Sequence, residues 1–414
     1  MKGFVYRAAA ALISIAAFVI RLFVRQRDMI LLISCQSDEP TRDILDLAEA
    51  IRGISAVPSS VQNAPRVKVM AGRMERSAGG AFSFAGKLLS MLKHLAAARI
   101  VVLDAYCPAV SIPGKIKGQK VVQIWHAPEA IKKFSWQIVD TQAGYDSSMA
   151  KALKMHRNYD CIICPSDATR PFFAEAFGYP ESVFVKYGLP TLDRIGAVKR
   201  PGTGELESPE RIKARTAIYG KYPELDSVGR PLTIVYAPTF RDGTEIDATG
   251  LVKAFEKAHS GGFVIVLKLH PLDAIKNADA MRVQDETWLR DESCVIIDTV
   301  FPLIDWYAAA DVIITDYSGA AVEAAAADVA SYYYIYDIDE YKKRRGLNVD
   351  LRDEVVGKYA FTDAEMLAEQ VFKDFPSVRD SLYDYQALSD FTCKYMGVPL
   401  KGNAINLALF VAKL

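Results

Sequence analysis

Ala310-Asp311-Val312-Ile313-Ile314-Thr315-Asp316-Tyr317-Ser318-Gly319-Ala320-Ala321-Val322-Glu323, residues 310–323, holds the clearest architectural signal in the chain. Asp311–Thr315 is a short apolar run of the kind that fills a buried strand, and Ala320–Ala327 is built mostly of the strongest helix former. The small and polar residues between them extend neither element. A strand that passes into a helix through such a turn is the repeating unit of an open α/β sheet. Free N–H groups at the start of the helix, together with its dipole, favour a phosphate there. Thr315, Ser318 and the Gly319 backbone are the donors to such an anion, and Glu323 can accept hydrogen bonds from ribose hydroxyls further along. The same residues also read as an ordinary helix cap by Ser318 or Asp316.

The alternation continues on both sides. Upstream of it, Leu232–Tyr236, Phe263–Leu269 and Cys294–Asp298 read as strands, and Ser331–Tyr336 follows as another. Nearer the N-terminus, Met29–Ser34, Val67–Met70, Ile100–Asp104, Val121–Trp125 and Cys161–Cys164 are apolar strand runs, with helical spacing in Thr41–Arg52 and Phe82–Ala97. Val198–Pro209 holds Pro, Gly, Ser and charges with almost no large apolar residue, and reads as a linker. The expected organisation is a helix at 1–27, an acceptor-side Rossmann-like domain at 28–197, a linker at 198–209, a nucleotide-binding Rossmann-like domain at 210–380 and a helical C-terminal segment at 381–414. Two such α/β domains predict a cleft between them, and ligands of open sheets bind outside the carboxyl ends of the strands.

Three further strand ends carry chemistry-bearing residues. Gln123-Ile124-Trp125-His126-Ala127-Pro128, with Lys132 and Lys133 behind it, presents an imidazole suited to a general base near neutrality. Tyr236-Ala237-Pro238-Thr239-Phe240-Arg241-Asp242-Gly243 ends on a guanidinium whose planar fork matches phosphate oxygens. Val266-Leu267-Lys268-Leu269-His270-Pro271 puts a second histidine after a buried strand, placed to stabilise charge on a diphosphate or its leaving group. Taken singly, each histidine also reads as a hydrogen-bonded structural residue, and Arg241 as one partner of a surface salt bridge. Lys268 alternates with apolar neighbours, as a cleft residue or an edge-strand lysine would. Four such ends in order make a site the better account.

The bulk numbers exclude several classes. Of 414 residues, 51% are hydrophobic and 24% charged, an ordinary globular balance. Lys+Arg and Asp+Glu number 50 each, so no overall field points to nucleic acid as a partner. Six cysteines in a chain of this length are not a disulfide framework, and free thiols fit a reducing compartment such as the cytosol. Cys161 and Cys164 form a C-x-x-C inside a buried strand with no second ligand pair, so they read as core residues and no metal site is expected.

At the N-terminus, residues 3–24 are mostly apolar. The run Ala8–Ile20 between Arg7 and Arg21 is too short for an ordinary membrane span, and no small-residue cleavage site follows it. At about 100° per residue, Arg7, Ser14, Arg21 and Arg25 fall within about 40° of one another. Such a narrow basic stripe on a hydrophobic helix fits a helix lying in a bilayer interface near anionic lipid. A core helix packed on the first domain and a tilted span with snorkelling arginines remain as alternatives.

Together, Q-I-W-H-A-P with K-K-F behind it, Y-A-P-T-F-R, L-K-L-H-P, A-A-D-V-I-I-T-D-Y-S-G and the later Asp337-Ile338-Asp339-Glu340-Tyr341 resemble the CDP-glycerol glycerophosphotransferases, which build teichoic acids and related polymers. The likeness covers roughly residues 100–345. It implies a GT-B-like architecture, with the acceptor in the first domain and the nucleotide in the second. It implies that His126 takes the proton of the acceptor hydroxyl, and that His270 contacts the donor phosphates and assists departure of CMP. Arg241, Lys268, Thr315, Ser318 and Gly319 would bind the diphosphate and Glu323 the ribose, with Asp316 and Thr239 supporting the loops. Its implied partners are CDP-glycerol or another CDP-polyol, a lipid-linked glycan acceptor and an anionic membrane, reached as a peripheral protein on the cytoplasmic face.

The chain departs from the family pattern in having Ala127 where Gly commonly follows the histidine, and Gly319 where a second Ser is common. Neither removes a predicted catalytic group; both bear on the acceptor. No carboxylate cluster of the magnesium-binding kind is present, so chemistry without a metal or cofactor is expected. Two other readings fit the same architecture: a nucleotide-sugar glycosyltransferase, and a membrane-bound partner that binds polymer without catalysis.

Overall fold

The computed structural model describes residues 2–55, 65–72, 78–202, 204–226, 230–241, 246–259, 261–269, 294–377 and 381–414. The chain divides into two compact units, residues 1–193 with 397–414, and residues 194–396.

The first unit is built on a six-stranded sheet in the order β2-β1-β3-β4-β5-β6. Its strands are β1 (Met29–Ser34), β2 (Arg66–Ala71), β3 (Ile100–Leu103), β4 (Lys120–Gln123), β5 (Cys161–Ile163) and β6 (Phe184–Val185). Every pairing is parallel. Alternation sorts β1 onto two buried faces. Leu31 and Ile33 join Met91, Leu92 and Leu95 of helix α3 (Ala78–Ala97) and the aromatic pair Phe173 and Phe177. Ile30 and Leu32 join Ile44, Leu47 and Ile51 of helix α2 (Arg42–Ser55). Cys161 and Cys164 are buried free thiols; among the described residues no cluster of three metal-ligating side chains occurs.

Helix α1 (Lys2–Phe23) packs one face on this unit through Ala10 and Ala17, with Tyr6 and Ile13 beside them. Its opposite face leaves Phe4, Leu12, Ile15, Phe18, Leu22 and Phe23 exposed, Phe23 to 82%. Arg7 is exposed and Arg21 half-buried, while Arg25 lies beyond the helix end. The stretch Gly3–Phe23 is long and apolar enough to cross a membrane by length and composition.

The second unit carries a sheet in the order β12-β11-β10-β7-β8-β9, again parallel throughout. Its strands are β7 (Leu232–Tyr236), β8 (Phe263–Leu267), β9 (Cys294–Ile297), β10 (Val312–Thr315), β11 (Ala330–Tyr334) and β12 (Ala360–Phe361). Numbered within the unit this is the doubly wound order, and its direction reverses between β7 and β10, where such sheets bind ligands.

The chain passes from one unit to the other within helix α4 (Pro190–Val198) and not in the polar 198–209 stretch expected as a linker. That stretch is tied into the second unit. Arg200 N donates to Ala327 O, the Ser208 hydroxyl donates to Ala197 O, and Arg211 donates to Val198 O and Tyr307 O. The C-terminal segment is also divided. Helix α6 (Tyr385–Met396) belongs to the second unit, packed on helix α5 (Ala320–Ala326), whereas α7 (Asn403–Lys413) returns to the first. The Asp193 carboxylate pins the start of α7, accepting from Asn403 N, Asn403 Nδ2 and Ala404 N at 2.8–2.9 Å.

Candidate active site

In the first unit the histidine expected to act as base, His126, lies three residues past β4. Trp125 precedes it in a left-handed conformation, φ +59°, a rare setting for a bulky residue. That turn packs the indole against Phe134 and Phe177, each 5.2 Å away, and leaves the His126 ring exposed above it at 4.1 Å. His126 Nδ1 donates to the Asp104 carbonyl at 3.1 Å. A carbonyl can only accept, so Nδ1 carries the proton and Nε2 keeps its lone pair. Asp104, just past β3, is itself held: its carboxylate accepts from Cys35 N (3.2 Å) and the Thr41 hydroxyl (2.7 Å). The protein packed around His126 lowers its pKa, Lys132 adds to that effect, and Asp104 opposes it. Beneath this group His156 is buried and neutral, hydrogen-bonded to Ser135 Oγ (2.8 Å) and the Tyr159 hydroxyl (3.0 Å); burial takes its pKa down to about 3.

In the second unit the predicted residues gather at the ends of β7, β8 and β10. The Thr239 amide and hydroxyl both donate to Asp316 Oδ1, at 2.9 and 2.6 Å, joining the loops on either side of the sheet's reversal point. Asp316 Oδ2 lies 2.7 Å from the Arg241 guanidinium. Arg241 meets Asp337 as well, Nε and Nη2 donating to its two oxygens at 3.0 and 3.1 Å. The rings of Tyr317 and Tyr341 lie 5.3 and 4.9 Å from the guanidinium carbon. Burial works against the charge on Arg241, but the two carboxylates outweigh it and raise the pKa. Expected as a phosphate ligand, Arg241 is instead 1% exposed and committed to two carboxylates, because the fork that fits a phosphate fits them equally.

Other predicted donors are similarly engaged. Thr315 is buried and its hydroxyl donates to Ala237 O at 2.7 Å, so it ties β10 to β7 rather than opening to a ligand. Lys268 pairs with Asp298 at 3.1 Å. Burial pushes Asp298 up, yet bonds from Trp306, the Val300 amide, Tyr222 and Lys268 hold it below the usual carboxylate range. Ser318 and Gly319 are half-buried, and Ser318 Oγ accepts from Ala320 N at 3.3 Å. Glu323, half-buried on α5, accepts from the Tyr307 hydroxyl at 3.1 Å. His270 lies outside the described residues.

The sequence reading missed Asp104 and Asp298 as organisers. Their signal was available: like Asp316, each directly follows an apolar strand run, where a carboxylate can collect the backbone amides of the next turn.

Comparison with known proteins bears on the family and the fold. The chain is 29% identical over 334 residues to a teichoic acid ribitol-phosphate primase of Bacillus spizizenii, covering 78% of this chain and 76% of the relative. It is 26% identical to a teichoic acid glycerol-phosphate primase of the same organism, over 69% of this chain and 68% of the relative. The wall teichoic acid polymerase TagF has the same fold, with a TM-score of 0.67 at 16% identity, over 100% of this chain and 96% of that one. A UDP-GlcNAc 2-epimerase from Neisseria meningitidis is more distant in fold, with a TM-score of 0.55 at 11% identity, over 93% of this chain and 100% of that one. The family model described as CDP-glycerol:poly(glycerophosphate) glycerophosphotransferase matches residues 15–396, and the chain belongs to that family.

Proposed function

We propose that this polyol-phosphate transferase moves glycerol phosphate, or a related polyol phosphate, from its CDP-activated form to a hydroxyl of a lipid-linked cell-envelope glycan, with His126 as general base. The observation that supports this best is the setting of His126. Its ring is exposed, its Nδ1 proton is spent on Asp104 O, and its lowered pKa keeps Nε2 available near neutrality. Nε2 takes the acceptor proton as the hydroxyl oxygen attacks the β-phosphorus of the donor. A new phosphodiester bond forms, and the bond from that phosphorus to the bridging oxygen breaks. CMP leaves with the bridging oxygen. The protein's work is positioning and charge stabilisation, as in phosphoryl transfer generally.

In this reading Ser318, the Gly319 amide, Lys268 and His270 take the donor diphosphate, and Glu323 takes the ribose. Arg241, Asp316, Thr239 and Thr315 hold the loops that present them. Helix α1 lies in the interface of an anionic membrane on the cytoplasmic side, its exposed apolar face among acyl chains and Arg7, Arg21 and Arg25 at the headgroups.

The test is CMP release by detergent-solubilised protein given CDP-glycerol or CDP-ribitol with a lipid-linked glycan. Release from one donor, lost in His126→Ala and His270→Ala, supports the reading and names the polyol. Failure to bind either donor would remove it and move attention to nucleotide sugars.

A further inference from the structure

Gln123, the last residue of β4, is completely buried, yet its amide is fully used. Oε1 accepts from Trp125 N at 2.9 Å, and Nε2 donates to Ala105 O at 3.1 Å. Trp125 is the left-handed residue that turns the chain so that His126 is exposed. Ala105 adjoins Asp104, whose carbonyl holds His126 Nδ1. One side chain therefore clamps both supports of the imidazole: the backbone that carries the ring and the neighbouring segment that accepts its proton. The Tyr159 hydroxyl, bonded to buried His156, also lies on this amide and braces it from below.

We propose that Gln123 is a positioning residue of the transferase, setting the direction and the tautomer of His126 through the Trp125 amide and the Ala105 carbonyl. This rests on the reading of His126 as base. A glutamine amide donates at one end and accepts at the other without charge. Gln123→Glu, as the neutral acid that complete burial favours, keeps an acceptor for Trp125 N and an O–H donor for Ala105 O, and is the conservative variant. Gln123→Met keeps the length and loses both. Misplacing a reacting group by an ångström costs about 100-fold in rate. Gln123→Met is therefore expected to lower kcat by about 10–100-fold with the donor KM unchanged, and Gln123→Glu by less.

The experiment uses the full chain in detergent with 15N-labelled histidine, the His126 signals being assigned by their loss in His126→Asn. In the native chain the neutral ring should carry its proton on Nδ1 alone. In Gln123→Met the two ring nitrogens should approach each other in shift as both tautomers are populated, and the acid limb of the rate profile should move further down, because the Asp104 carbonyl that supports the ring's proton is no longer held in place. A ring still protonated on Nδ1 alone, with native kcat, in a folded Gln123→Met protein overturns the proposal. The two readings fail separately. Native turnover in His126→Ala removes the base, whereas an altered tautomer in a Gln123 variant still supports the clamp.

Discussion

Replacing Arg241 by methionine tests whether the guanidinium is a pillar or a ligand. The side chain is 1% exposed, Asp316 beside it is equally buried and Asp337 nearly so. Methionine fills most of the volume and leaves two carboxylates facing one another without their shared cation. Breaking a buried pair by removing one partner costs about 3–5 kcal/mol, the larger part of it from the charge left behind. For a unit of this size each kcal/mol moves the melting temperature by about 2–4 °C. Arg241→Met should therefore melt roughly 6–20 °C below the native chain in differential scanning fluorimetry without donor. Donor affinity should weaken because the Thr239 and Asp316 loops are no longer fixed. Arg241→Lys should fall between, since one ammonium cannot fork to both acids. Neutralising the orphans, Arg241→Met with Asp316→Asn and Asp337→Asn, should recover part of the loss. A variant with native melting temperature and a donor affinity reduced 100-fold would refute this reasoning and return Arg241 to the diphosphate.

Four other outcomes follow from the same structure. His126→Ala should lose on the order of 10²–10⁴-fold in kcat, measured as CMP release, while donor binding is retained. In the native chain, activity should fall as pH drops through a midpoint below 6.5, because the base must be unprotonated and its pKa is lowered; a midpoint above 6.5 would contradict the crowding around the ring. His156 binds its proton far more readily unfolded than folded, where its pKa is about 3, so stability drains away as pH falls below 6.5, by about 1.4 kcal/mol per unit. His156→Gln should flatten that slope in acid melting curves, and parallel curves for the two proteins would sink the assignment. Replacing Phe4, Phe18, Leu22 and Phe23 by serine should abolish sedimentation with anionic vesicles without lowering the melting temperature; undiminished sedimentation would take α1 out of the membrane reading.

Much of the fold was legible because a strand buried on both faces must be apolar throughout, and a short unbroken run such as Phe263–Leu267 fits neither a surface strand nor an amphipathic helix. The two-residue strands β6 and β12 escaped notice, being too short to show any period. The transition between the units was misplaced because polarity was read as a linker. Arg200, within that stretch, binds the carbonyls of Ala327 and Ala310 in the second unit, and Arg211, just beyond it, binds those of Val198 and Tyr307.

Strand ends were legible for the same reason as strands, but side-chain direction was not. Thr315 and Ser318 look alike in the sequence as hydroxyl donors on one turn. The last strand position sends the first inward to Ala237 O, and the turn leaves the second half-buried. Arg241 finds Asp337 96 residues away, and no local pattern announces such a partner. A chemistry that suits phosphate suits carboxylate, so residue type alone could not separate a ligand from a strut; burial does. By that criterion the chain divides its motif residues by task. Arg241, Asp316, Thr239 and Thr315 satisfy one another at the reversal point of the second sheet, as Gln123 and Asp104 do for His126 in the first. The groups left at least partly open, His126, Ser318, Gly319 and Glu323, are those whose loss should change chemistry before it changes stability.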